Sequence, residues 1–248
     1  MKSLLLVTAA LSAFAAAPAL AQDGPVGSVG VSYGNTEFDL GGLGADADAW
    51  AVDGVVAMPA FGDWTVTLAA NAGQVDDGND DTTFVGTGHL TTLVGSDLRV
   101  GGFIGAADVA DETALTGGLE VQKYLSKATL TGVVAYTTAD DVDLDAWSVG
   151  ADAAFYVTDA LRLNAGLSWM TIDDADVDGV TYGVGAEYQI SDSPFSVTAG
   201  LSHSDIEDLD IDSWTVGLRY SFGGGLQARD RAGAALPGSG VMGILGAL

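Results

Sequence analysis

Apolar and polar residues alternate strictly along much of this chain. In the segment WTVGLRYSF, which runs from Trp214 to Phe222, the even positions are Trp, Val, Leu, Tyr and Phe, and the odd positions are Thr, Gly, Arg and Ser. A period of two predicts a β-strand with one apolar and one polar face. The polar face consists of small residues and an arginine, whereas the apolar face begins and ends with aromatic residues. The pattern alone leaves open which face meets water.

Similar segments repeat along the chain. An acidic cluster followed by an aromatic or aliphatic residue opens a strand after Asp46, Asp80, Asp111, Asp143, Asp176 and Asp210, at a spacing of a little over thirty residues. That spacing fits two strands of about ten residues each, with one long and one short connection. The predicted strands are 26–38, 49–58, 64–73, 82–91, 97–106, 113–124, 128–137, 146–156, 161–170, 179–190, 195–204 and 213–222. The fourth and sixth have the weakest pattern, because glycine and threonine blur their apolar faces.

The connections between these strands alternate between short and long. The short ones contain turn residues such as Gly62 and Ser193-Pro194. Most of the long ones are acidic: LGGLGADAD, QVDDGNDD, TADDVDLD, TIDDADVD and DIEDLDID. An even number of strands with this alternation predicts a transmembrane antiparallel up-and-down β-barrel. No apolar run of helical membrane-spanning length follows residue 21, so any membrane span must be made of strands.

The two faces of the predicted strands differ in a way that favours a membrane barrel. Aromatic residues such as Tyr33, Trp50 and Trp147 lie near strand ends on the apolar face, where an interfacial girdle would lie. The opposite face is rich in glycine, serine and threonine, which predicts a polar lumen. The alternative is a secreted β-sandwich, since alternation is common to both architectures. A sandwich would place its large aromatic residues in the middle of its strands.

The N-terminus and the charge narrow the function further. Lys2, an apolar run from Leu4 to Ala17 and the sequence Ala19-Leu20-Ala21 predict a signal peptide over residues 1–21, cleaved before Gln22. The chain has no cysteine, so it contains no disulfide and no thiol nucleophile. Its formal net charge is -26, with only eight Lys and Arg residues. This charge excludes a nucleic-acid-binding surface, which needs a basic patch.

The signal peptide, the hairpin repeat and a last strand that ends in GLRYSF resemble Gram-negative outer-membrane β-barrel proteins, above all small porins. The resemblance implies an outer-membrane barrel over residues 22–222, in contact with lipid and lipopolysaccharide. It also implies that the barrel-assembly machinery recognises the terminal aromatic residues Tyr220 and Phe222. Small porins often form trimers, but the chain shows no interface signature, so a homo-oligomer stays open.

The chain continues for 26 residues after Phe222. We expect residues 223–248 to form a flexible periplasmic tail. Two alternatives stay open: the tail folds back to plug the lumen, or it binds a periplasmic partner.

The charged residues on the predicted lumen face are few. Five lie near the short-turn ends of their strands, and two lie nearer the middle: Arg99, Glu120, Arg162, Glu187 and Arg219, then Asp53 and Asp152. Two pairs of opposite charge lie on adjacent predicted strands: Arg99 with Glu120, and Arg162 with Glu187. One interpretation is a charged constriction that selects solutes in a porin-like channel for passive diffusion of small hydrophilic solutes. The other is a salt-bridged network in a closed barrel with a structural or adhesive role, acting through its acidic loops.

The acidic loops contain three triplets of alternating aspartates: Asp141, Asp143 and Asp145; Asp174, Asp176 and Asp178; and Asp208, Asp210 and Asp212. DADVDG, from Asp174, matches the first half of an EF-hand loop, but the twelfth position is Gly185 instead of glutamate, so a dedicated calcium site is not expected. Each triplet shares the face of the strand-opening residue that follows it. These carboxylates are therefore predicted to point outward and to share loosely bound Ca²⁺ or Mg²⁺ with lipopolysaccharide phosphates. No other cofactor is expected.

The two histidines do not favour catalysis. The sequence LSHSD around His203 invites comparison with outer-membrane lipases, whose histidine and serine lie on one face of the barrel. Here Ser202 and Ser204 flank His203 and face the other way, so no enzyme is predicted. His89 is predicted to be a lone lumen residue.

Overall fold

The computed structural model describes residues 24–75, 82–109, 112–139, 144–172 and 177–236. Over these residues, twelve antiparallel strands form a closed barrel in which each strand pairs with its neighbours in sequence, and the first pairs with the last. The strands are β1 Val26–Leu40, β2 Leu43–Pro59, β3 Trp64–Val75, β4 Thr82–Val94, β5 Leu98–Val109, β6 Glu112–Tyr124, β7 Ala128–Ala139, β8 Leu144–Thr158, β9 Leu161–Ile172, β10 Val177–Gln189, β11 Phe195–Ile206 and β12 Leu209–Phe222. The predicted up-and-down barrel is confirmed, including its fourth and sixth strands.

The barrel is apolar outside and polar inside. Large apolar side chains such as Leu68, Ile104 and Leu119 are exposed on the outer face. Thr67, Thr129 and other hydroxyl-bearing residues are buried on the inner face. This arrangement is the reverse of a soluble protein, and it rules out the β-sandwich alternative. The residues predicted to form the apolar face therefore lie on the outside of the barrel, and those predicted to form the polar face line its lumen.

The two ends of the barrel carry different connections. The end with connections 60–63, 95–97, 125–127, 159–160 and 190–194, where β1 begins and β12 ends, is termed the proximal end. The opposite end, which carries the tight turn at Gly41-Gly42, is termed the distal end.

Two acidic segments predicted to be long loops at the distal end are mostly strand. LGGLGADAD forms a two-residue turn, and β2 begins at Leu43 instead of residue 49. Gly41 and Gly42 have φ angles of +59° and +89°, which suit a tight hairpin and favour glycine. DIEDLDID likewise turns at residues 207–208, and β12 begins at Leu209 instead of residue 213. In both segments the residues alternate with a period of two, Ala with Asp in β2 and Asp with Ile in β12, so each strand continues past its outward-facing tryptophan toward the turn.

The distal extension has a small apolar core on its inner face. Met170, Ile206 and Ile211 are buried together, and Phe38 packs against them. These residues come from β9, β11, β12 and β1, so the cluster ties neighbouring hairpins together above the polar lumen. Packing of this kind explains why the extended hairpins hold a regular register to their turns.

Several predicted features lie outside the described residues. These are the signal peptide over residues 1–21, residues 237–248 of the tail, and Asp141, Asp143, Asp174 and Asp176 of the acidic triplets. Among the described residues, no helix is both long enough and apolar enough to cross a bilayer.

All five tryptophans point outward from the wall, so their fluorescence should report lipid contact: Trp50, Trp64, Trp147, Trp169 and Trp214. In vesicles of brominated phosphatidylcholine we expect most of the emission to be quenched, because bromine in the acyl chains reaches the outer face. Iodide in the aqueous phase should quench little. Emission that is insensitive to brominated lipid but sensitive to iodide would contradict the outward placement.

Candidate functional site

The chain turns back into the barrel after its last strand. Gly223 and Gly224 have φ angles of +83° and +136°, and a Cβ at position 223 would lie 2.5 Å from Cγ1 of Val26. Only glycine fits this reversal without strain. A short helix, α1 (Leu226–Arg229), and a π-helical segment (Asp230–Ala234) then lie inside the proximal end. Residues 226–236 are termed the tail segment. Its position differs from the free periplasmic tail expected from the sequence.

Side chains at the start of the tail segment anchor it to β8 and β10. Leu226 is buried against Ala154 and Tyr156 of β8. The Tyr156 hydroxyl donates a hydrogen bond to the Asp230 carboxylate. Arg229 donates from Nη2 to Oε1 of Glu187 on β10, over 3.3 Å. Burial lowers the pKa of the Arg229 guanidinium, and the Glu187 carboxylate opposes that shift.

Lumen side chains also bind the backbone of the tail segment at alternate residues. Arg99 donates to the carbonyl of Arg231 over 3.0 Å, Thr67 to that of Gly233 over 2.9 Å, and Gln122 to that of Ala235 over 2.8 Å. In the opposite sense, Arg231 donates to the carbonyls of the 125–127 turn. A hydrogen bond between neutral groups contributes about 0.5–1.5 kcal/mol net, and one with a charged donor such as the Arg99 guanidinium about 1.5–3 kcal/mol. Docking therefore depends on the sum of several modest contacts.

A cavity of about 720 Å³ lies in the lumen beside the tail segment. Five of the seven predicted lumen charges line it: Asp53, Asp152, Arg162, Glu187 and Arg219. The rest of the lining is mostly glycine, alanine, serine and threonine, and Ala234 and Ala235 of the tail segment contribute to it. The structure thus brings these charges to one water-accessible space.

The charges in this cavity are paired across neighbouring strands. Nη2 of Arg219 lies 2.8 Å from Oδ2 of Asp53, with Gly30 of β1 in register between them. A Cβ at position 30 would lie 2.5 Å from Oδ1 of Asp53, so glycine leaves the space in which the two side chains meet. The two side chains are 27% and 28% exposed. Solvent therefore screens the pair, which contributes about 1 kcal/mol or less.

Glu187 has the most partners of the lumen carboxylates described. It lies in register with Arg162, at 3.8 Å from Oε2 to Nη1, as expected for the predicted pair on adjacent strands. Ser196 donates to its Oε1 over 2.7 Å, and Arg229 of the tail segment reaches the same oxygen. Glu187 is only 6% exposed, so two cations and a hydroxyl stabilise a carboxylate that water barely reaches.

Arg99 and Glu120, the other predicted pair, do not contact each other as an ion pair. The register places Arg99 opposite Gln122, and Glu120 instead lies 3.0 Å from Nδ1 of His89. Arg99 donates to the hydroxyls of Tyr124 and Thr91, each over 2.8 Å. These side chains fill the lumen beside β4 to β6 rather than line the cavity.

Sequence reasoning missed how one side of the lumen is filled. His89, predicted to be a lone residue, contacts Glu120, bonds the Thr87 hydroxyl over 3.0 Å and stacks on Phe103 at 5.3 Å. Phe103 is buried on the inner face and packs against Val133. The sequence does contain a signal for this packing: Phe103 is a large aromatic residue on the inner face of β5, where Gly101 and Gly105 are its neighbours.

The described carboxylates of the acidic triplets in strands point outward, as the alternation of the sequence predicts. Asp178, Asp210 and Asp212 are exposed on the outer face of the distal end. Asp145 shares the outward face of Trp147 and accepts a hydrogen bond from Tyr136 over 2.6 Å. Within the described ranges, no group of three or more acidic, histidine or cysteine side chains is arranged to hold a metal ion. The shared divalent cations stay a prediction.

His203 and Ser204, neighbours in the chain, lie on opposite faces of the barrel wall. His203 lies on the outer face beside Tyr182 and Asp212, with Nδ1 at 2.8 Å from Oδ1 of Asp212. Ser204 faces inward and bonds Thr181 over 2.8 Å.

The terminal aromatic residues Tyr220 and Phe222 lie on the outer face of β12 at its proximal end. Tyr220 packs edge-on against Phe195, with 5.5 Å between the ring centroids, and Phe222 pairs with Gly27 across β1 and β12. Their role in recognition by the assembly machinery stays a prediction.

Comparisons with known proteins agree with this geometry. Residues 6–222 match the family model described as outer membrane protein beta-barrel domain. No curated protein matches the sequence. Among solved structures, the KdgM porin has a TM-score of 0.56 at 7% identity, over 78% of this chain and 99% of that one. The NanC porin has a TM-score of 0.58 at 6% identity, over 77% and 98%. The translocator domain of the autotransporter NalP from Neisseria meningitidis has a TM-score of 0.57 at 12% identity, over 86% and 92%.

Identities this low show likeness of fold alone. The family match is of a different kind, because it spans most of the chain and includes all the described strands. This protein therefore belongs to the outer membrane protein beta-barrel domain family: it is an outer-membrane β-barrel with a fold similar to that of small porins.

Proposed function

We propose that this protein is an outer-membrane channel through which small hydrophilic solutes diffuse passively. The observation that carries the proposal is the cavity of about 720 Å³, with its lining of small, hydroxyl-bearing and charged residues. Moving a polar solute into hydrocarbon costs several kcal/mol, roughly 2–7 for an amide or hydroxyl group. A wet polar lumen avoids that cost.

The shape of the lumen supports a narrow channel. Barrels of about eight strands are filled by their own side chains, and those of about sixteen strands leave an open aqueous pore. This barrel of twelve strands lies between those sizes, and its lumen is partly filled and partly open. Phe103 and its neighbours fill one side, while small residues such as Gly183 and Gly200 leave the other side open.

The charges give the proposed channel a direction and a preference. The start of β1 and the end of β12 both lie at the proximal end. A barrel that inserts into the outer membrane from the periplasm keeps both ends on that side without drawing a terminus across the hydrocarbon, so we assign the proximal end to the periplasm. The exposed carboxylates of the distal end then face outward from the cell. They raise the local concentration of cations and disfavour anions at the entrance. Lipopolysaccharide bridged by divalent cations is a proposed partner of the same carboxylates.

The docked tail segment favours a second candidate. A barrel that stays closed at its proximal end would serve a structural or adhesive role through its acidic distal hairpins. The likeness of fold extends to both porins and a translocator domain, so it does not choose between these candidates.

Single-channel recording in a planar bilayer tests the channel directly. We expect discrete conducting steps, and we expect Thr198→Trp to lower their conductance by roughly half or more, because an indole would occupy the cavity. Val197→Trp is the matched control, because Val197 is the neighbour of Thr198 in the chain and its side chain faces lipid instead of the cavity. Equal effects of the two variants would contradict conduction through this cavity. Silence of the native protein and of every variant described below would favour the closed barrel.

Charge selectivity tests the Asp53–Arg219 pair. Arg219→Gln leaves the Asp53 carboxylate without its cationic partner, so the reversal potential in a KCl gradient should shift toward cation preference. Asp53→Asn should shift it toward anion preference. Asp97→Asn serves as a control, because Asp97 pairs with Lys123 on an exposed proximal turn. Identical reversal potentials for Arg219→Gln and Asp53→Asn would show that these residues do not face the conduction path.

A further inference from the structure

We propose that the tail segment is a tethered gate that docks in the proximal end of the lumen and releases from it, closing and opening the channel. The inference rests on the proposed channel function and adds its regulation. A glycine hinge at residues 223–225 joins the gate to β12, and residues 226–236 form the part that moves.

The docked tail segment lies across the lumen and not along one wall. Its polar partners come from five strands between β3 and β10: Thr67 on β3, Arg99 on β5, Gln122 on β6, Tyr156 on β8 and Glu187 on β10. A segment bound to one wall would contact two or three adjacent strands. Contact with both halves of the ring places it in the path of any solute that leaves at the proximal end.

The docking contacts are of a kind that water can replace. Apart from Leu226, the described contacts of the tail segment are mainly hydrogen bonds and one ion pair, in a lumen that already holds a water-accessible cavity. The helical pieces are four and five residues long, too short to persist without the wall. The strands pair with one another in a complete ring without the tail segment. Docking is therefore a separate equilibrium from the fold of the barrel.

Glu187 gives this equilibrium two defined states. In the docked state its carboxylate is shared between Arg229 of the tail segment, at 3.3 Å, and Arg162 of the wall, at 3.8 Å. In the released state Arg162 and Ser196 still flank the carboxylate, so release leaves no buried charge without a partner. A shared partner of this kind lets one element alternate between two arrangements.

A reversible crosslink tests whether movement of the tail segment controls conduction. The chain has no native cysteine, and Leu226 packs against Ala154, so Ala154→Cys/Leu226→Cys can lock the docked state by a disulfide. We expect the oxidised double variant to be silent or strongly reduced in conductance, and a reductant added to the same membrane to restore it. Each single cysteine variant is a control and should not respond to oxidation. Equal conductance of the locked and reduced forms would overturn the gate while leaving the channel intact.

A labelling experiment measures release without any conduction. Leu226 is buried when the tail segment is docked, so a bulky water-soluble maleimide should modify Leu226→Cys only in the released state. Adding Glu187→Gln should raise the labelling rate severalfold, because it removes the charged partner of Arg229. Glu120→Gln is the matched control, since Glu120 is a buried lumen carboxylate that contacts His89. Equal rates in the two backgrounds would overturn the gate. Faster labelling with Glu187→Gln and no conductance in any form would support a mobile tail and reject the channel.

Discussion

Every other feature of this protein depends on the closure of its backbone hydrogen bonds. In hydrocarbon an unpaired amide has no water to bind, so a sheet that crosses a membrane must have no free edge. Here β1 and β12 complete the ring over fourteen residue pairs, from Gly27 with Phe222 to Leu40 with Leu209. Because closure fixes the register, it also fixes which side of the wall each residue faces. The apolar belt and the polar lumen are therefore two results of one constraint.

Within the lumen, polar groups are satisfied in two different ways. Where Phe103 and its neighbours exclude water, the groups pair with one another, as Glu120 does with His89 and Arg99 with Tyr124. Where small residues leave space, charged side chains such as Asp152 and Arg162 border a cavity that water can enter. The first arrangement packs one side of the barrel with buried side chains, and the second leaves a water-accessible space on the other side. A single ring of strands thus encloses both a packed core and a cavity.

The sequence predicted the strands, their faces and the Arg162–Glu187 contact, because these follow from period-two alternation and from adjacency in the chain. It did not predict the contact of Arg219 with Asp53, which forms across the β12–β1 closure and depends on the register there. The sequence predicts loops where the distal hairpins extend, because acidic residues usually mark solvent-exposed connections. The sequence left a tail folded into the lumen open only as an alternative, for a different reason. Much of its binding goes through backbone carbonyls, at residues 231, 233 and 235, which every sequence has.

The spread of these tail contacts around the ring has a mechanical consequence. A barrel wall is one sheet thick, and its cross-section can flatten into an ellipse while its hydrogen bonds stay intact. The tail segment joins β3, β5 and β6 to β8 and β10, so it braces opposite sides of the barrel as a strut braces a tube. When the strut is absent, the wall gains freedom to change its cross-section. The width of the lumen and the occupancy of its interior are then coupled, so in the proposed channel the tail segment would set the diameter of the lumen as well as obstruct it.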